Sequence, residues 1–91
     1  MSTAVALAKR IIEEQELVIG PLAWREAKKV SGLQIGDNHS VKMDGESRTV
    51  LDELVKQYED LFGPASVEVC RQAVRSLLPQ VPSTDVPEVL K

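Results

Sequence analysis

The sequence predicts an α+β domain that is mostly helical: four helices in two helix-Gly-Pro-helix units, with a small antiparallel β-hairpin between them. Three observations lead there. Apolar residues recur at three- and four-residue steps over Thr3–Val18 and again over Arg48–Phe62, the period of an amphipathic helix. A Gly-Pro dipeptide closes each of these stretches, as Gly20-Pro21 and Gly63-Pro64. Between them, Leu33, Ile35, Val41 and Met43 alternate with polar neighbours, the period of a strand.

The first helix is expected over about Thr3–Val18. Val5, Ala8, Ile11, Ile12, Gln15, Val18 and Ile19 share one side, while Lys9, Arg10, Glu13, Glu14 and Glu16 take the other. Gly20 can adopt the backbone conformations that end a helix, and Pro21 suits the first turn of the next, where its missing N–H is not needed. That second helix is short, about Pro21–Val30, and stops before Ser31-Gly32.

In "GLQIGDNHSVKMDG", pairing Leu33 with Met43 and Ile35 with Val41 leaves a loop from Gly36 to Ser40 and places all four apolar side chains on one face. A two-stranded hairpin is marginal alone, so the helices must support it. The third helix, about Arg48–Phe62, carries Val50, Leu51, Leu54, Val55, Tyr58, Leu61 and Phe62, with Ser47 or Thr49 as its cap. The fourth, about Ala65–Leu78, presents Val67, Cys70, Ala73, Val74, Leu77 and Leu78. Superposing the two Gly-Pro dipeptides sets Ile11, Ile12, Val18 and Ile19 against Leu54, Val55, Leu61 and Phe62, as two similar units would. The domain is therefore drawn over residues 1–78. Residues 79–91, "PQVPSTDVPEVLK", hold three of the five prolines and no periodicity, and are expected to be a flexible tail.

Composition narrows the function classes. A chain of 91 residues buries only about 60–65% of its extended surface, so its stability is marginal and self-association is a natural remedy. The net charge of −3 opposes a duplex-binding surface, which needs clustered Lys and Arg. A recognition helix would have only Arg71 and Arg75 to read with, beside Glu68 and several valines; nucleic acid is an alternative partner, not the favoured one. The lone Cys70 excludes an internal disulfide and a cysteine-based zinc site and fits a reducing compartment. "MSTAVALAKRIIEEQ" has neither the apolar run of a signal peptide nor that of a membrane span, so the expected location is cytoplasmic.

Chemistry is sparse. His39, the single histidine, sits in the hairpin loop with Asp37, Asn38 and Ser40 and reads as a solvated turn. Cys70 falls on an apolar helix face, where a thiol is packing material. The expectation is therefore not an enzyme, with no cofactor and no metal. "AKRIIEEQ" and "SRTVLDELVKQYEDLFG" resemble the first and second helices of acyl carrier proteins, a small, acidic, four-helical family. That resemblance implies a phosphopantetheine arm on Ser47. The sequence departs from the family in having Glu46-Ser47-Arg48 where the family has Asp-Ser-Leu.

Trp24 is the large residue whose place is least constrained. Its helical neighbours are Pro21, Ala27 and Lys28, which sets it at the edge of the core, and tryptophan is enriched at binding hot spots. With Arg25 and Lys28 it forms the expected interface of a non-enzymatic interaction or regulatory module, whose partner is another protein or a second copy of the chain.

Overall fold

The computed structural model describes residues 3–91; residues 1 and 2 of the expected domain lie outside the described part. The elements are α1 (Thr3–Ile19), α2 (Leu22–Ala27), β1 (Leu33–Ile35), β2 (Val41–Met43), α3 (Ser47–Phe62) and α4 (Pro64–Val74). Three 3-10 turns follow, at Leu78–Gln80, Ser83–Asp85 and Glu88–Leu90. The protein is thus mostly helical with a small antiparallel sheet, the class that the two periods predict.

The core lies between α1, α3 and α4, with α2 and the hairpin against one side. α1 buries Ala4, Leu7, Ala8, Ile11, Ile12 and Gln15, so its inward face is rotated from the expected stripe: Val5 is half-buried and Val18 exposed. α3 buries Val50, Leu51, Leu54, Val55 and Tyr58. α4 contributes Ser66, Val67, Cys70, Ala73 and Val74. It stops at Val74, short of the expected Leu78, and Leu77 and Leu78 pack on the core half-buried.

The strands pair Leu33 with Met43, Gln34 with Lys42 and Ile35 with Val41, the register that the alternation predicts. Gln34 and Lys42 face solvent, while Leu33 is buried and the other three apolar residues half-buried. Gly32 starts this unit. Its φ is +92°, and a Cβ there would lie 2.6 Å from both the Asp44 carbonyl oxygen and Val50 Cγ2. That close approach lets the Asp44 N–H donate to the Gly32 carbonyl at 2.8 Å, extending the strand pairing to the foot of α3. The helix begins without the expected Ser47 or Thr49 cap. Glu46 occupies the cap position, and the Thr49 hydroxyl donates to its carboxylate at 3.0 Å.

Residues 79–91, expected as a flexible tail, lie against the helices in three 3-10 turns. Val81, Val86 and Leu90 are 8%, 3% and 2% exposed and belong to the core, and Arg71 Nε donates to the Val89 carbonyl at 2.8 Å. Pro79 lies inside the first 3-10 turn, while Pro82 and Pro87 immediately precede the other two. A fixed proline φ leaves the unfolded segment fewer conformations to lose, so three apolar anchors suffice to hold an aperiodic stretch down. The packed unit accordingly extends past residue 78.

Candidate functional site

Two corners are built alike in their backbone bonding. At the end of α1, the Gly20 N–H donates to the Glu16 carbonyl at 2.8 Å; at the end of α3, the Gly63 N–H donates to Glu59 at 2.8 Å. Both glycines have positive φ, 69° and 85°, which costs glycine little and other residues more. Beyond each corner the chain turns back at once: Ala23 N–H donates to Gly20 at 3.0 Å, and Ser66 N–H to Gly63 at 3.1 Å.

Two buried polar side chains bring these corners to one end of the molecule. Gln15 Nε2, on α1 before the first corner, donates to the Ser66 carbonyl after the second at 2.9 Å, and also meets Cys70 Sγ at 3.4 Å. The Tyr58 hydroxyl, on α3 before the second corner, donates to the Ala23 carbonyl after the first at 2.7 Å. Both residues are fully buried, so each must find a partner, and each finds it in a backbone carbonyl of the first helical turn after the opposite corner.

At this end the core is uncovered. Leu61 and Phe62 lie one turn beyond Tyr58 on the inward side of α3, yet they are 53% and 39% exposed. Val18, one turn beyond Gln15 on α1, is 65% exposed, and Leu22 at the start of α2 is 36% exposed. These four continue the buried faces past the point where another element could cover them. Leu17 is also exposed, but it stands two residues from Gln15, about 200° around the helix, on the solvent side.

The expected interface is divided by the fold. Trp24 is 5% exposed, because the hairpin loop folds over it. The His39 ring stacks on the indole with centroids 3.9 Å apart and planes 10° from parallel. The loop is held by Gly36 N–H donating to Ser40 at 2.9 Å and His39 N–H to Gly36 at 3.0 Å, and His39 itself has a φ of 63°. Trp24 is therefore covered instead of offering an exposed anchor, and its Nε1 is buried without a hydrogen-bond partner among the described residues. Arg25 and Lys28 remain exposed on the outer side of α2, and neither side chain makes an ion pair within the described residues.

Burial pushes the Cys70 thiol up to about 11, offset in part by the Gln15 hydrogen bond, so little nucleophilic thiolate forms near neutral pH. Burial likewise holds the Tyr58 phenol above its ordinary value. Ser47 is the first residue of α3 and half-buried. Its neighbour Arg48 pairs with Glu88 at 3.9 Å, and Lys56, further along α3, pairs with Asp52 at 3.1 Å. Arg71 is held internally by Val89 and by Glu68 at 2.6 Å, while Arg75 is exposed. Among the described residues no three His, Cys, Asp or Glu side chains are placed to hold a metal ion, and no helix is long and apolar enough to cross a membrane. Family models, curated proteins and solved structures provide no match to the chain.

Sequence reasoning missed the part played by three residues. His39 was legible only as a turn residue, because a stacking partner fifteen positions away in the chain leaves no local trace. Leu61 and Phe62 did carry a signal: both immediately precede a Gly-Pro corner, where a helix outruns its cover.

Proposed function

We propose that the chain is a non-enzymatic protein–protein interaction module that works through the uncovered apolar end of its core. The observation that carries this reading is the exposure of Val18, Leu22, Leu61 and Phe62 at the end where the two corners meet. An apolar surface of this kind, at roughly 300–600 Å², is often functional on a small protein. In this reading the two helix-Gly-Pro-helix units have a common use: each ends its longer helix in an apolar pair just before the glycine, Val18-Ile19 in one and Leu61-Phe62 in the other. Arg25, one turn from Leu22, keeps its place at the edge of the surface, whereas Trp24 acts from beneath by supporting α2. A cytoplasmic location goes with this reading, supported by the single unpaired Cys70.

The test is recovery of complexes from the native host with the tagged chain. Wild type and an Arg48→Ala control are expected to retain the same bound protein, and a Leu61→Asp/Phe62→Asp variant to lose it while keeping its helical circular dichroism. Equal recovery by all three would rule the reading out.

A further inference from the structure

We infer that the occupant of the apolar end is a second copy of this chain, paired about a twofold axis with Arg25 of each copy against Glu59 of the other. This rests on the reading of that end as an interaction surface. Exposed apolar surface favours a second copy. Val18, Leu22, Leu61 and Phe62 form an apolar centre of the kind that a standard interface of about 800 Å² per partner is built around. A domain this small, with one end of its core open to water, gains most from covering that end, and a copy of itself is the partner always at hand.

Charge supports the same occupant. Arg25 stands one turn from Leu22 on α2, and Glu59 stands one turn before Phe62 on α3; both are exposed. A cation therefore borders the apolar surface on α2 and a carboxylate borders it on α3. Within the described residues neither forms an ion pair or a side-chain hydrogen bond. A twofold interface sets residue i against j and j against i, so opposite charges on two elements of one surface are self-complementary. A uniformly acidic partner would be repelled by Glu59, and a uniformly basic one by Arg25 and Lys28. A second copy satisfies both.

Sedimentation equilibrium from micromolar to millimolar protein tests the pairing. The mass of the wild type is expected to rise from 10.0 kDa towards twice that value. Leu61→Asp, with its circular dichroism unchanged, is expected to dissociate about 30-fold more readily. Arg25→Asp alone and Glu59→Arg alone are each expected to weaken the dimer about tenfold, and combining the two to restore most of the loss. Failure of that rescue, or a dimer indifferent to Leu61→Asp, would overturn the proposal. A wild type that stays at single-chain mass while Leu61-dependent capture of a different protein persists would overturn self-pairing alone. Single-chain mass with no such capture would overturn the interaction reading as well.

Discussion

The hairpin loop and the Gly-Pro corners meet the core in different ways. The five-residue loop reaches back across α2, and His39 lies flat on Trp24, leaving the largest side chain of the protein 5% exposed. At the corners the chain reverses through Gly20-Pro21 and Gly63-Pro64, and four core-facing apolar residues stay open. Loop length makes the difference. A corner of two residues can redirect a helix but has no side chain long enough to cover the helix end, whereas a hairpin loop carries a ring that can fold over. In a small domain the tightest turns therefore mark where the apolar surface is left for something else to cover.

Paired truncations in α3 sharpen that contrast most strongly. Leu54 is fully buried and Leu61 is 53% exposed, two turns apart on the same side of one helix. Leu54→Ala is expected to cost about 2–5 kcal/mol, since it removes buried methyl groups and leaves a cavity. Leu61→Ala is expected to change monomer stability by no more than about 0.5 kcal/mol. Urea unfolding at a protein concentration low enough to keep the chain monomeric measures both. A Leu61→Ala loss as large as that of Leu54→Ala would mean that the Gly-Pro end is closed within the single chain.

The tail gives the next largest effect, and it also marks the limit of what periodicity can read. The helices and the hairpin register were legible because their apolar residues repeat at the period of their own backbone, as with Val50, Leu51, Leu54, Val55 and Tyr58 or Leu33 and Ile35. Val81, Val86 and Leu90 repeat at no period, because 3-10 turns separated by prolines present one side chain at a time. Their burial depends on the groove they meet on α3 and α4, a tertiary fact. The candidate interface was legible in part for the same reason: Arg25 and Lys28 follow from helical spacing, while the cover over Trp24 comes from a loop elsewhere in the chain. Leu90→Ala is expected to destabilise by about 2–3 kcal/mol, measured in the same way. A change below about 0.5 kcal/mol would mean that the tail is not held in solution.

The smallest effect concerns the hydrogen bond that keeps α2 against α3 near the open end. Glu26 is almost completely buried on α2; its Oε1 accepts from Gln57 Nε2 on α3 at 2.8 Å, and its Oε2 from Lys29 Nζ at 3.1 Å. The Gln57 bond first, and then Lys29, hold this carboxyl below its ordinary value of 4.5. The folded state therefore binds the Glu26 proton less readily than the unfolded state does. The resulting stabilisation is fully present above the ordinary carboxylate value and is lost as pH falls through the lower, folded value. Glu26→Gln removes the titration while keeping a side chain that can still meet Gln57. The stability advantage of wild type over Glu26→Gln is expected to be constant near neutral pH and to shrink steadily below about pH 4.5, as read from urea midpoints across that range. A difference that stayed flat into acid would show that the Gln57 and Lys29 bonds do not favour the ionised carboxylate. α2 would then be fixed by the packing of Ala23, Trp24 and Ala27 and by the Tyr58 bond, with Arg25 carried on the outer side of that packing.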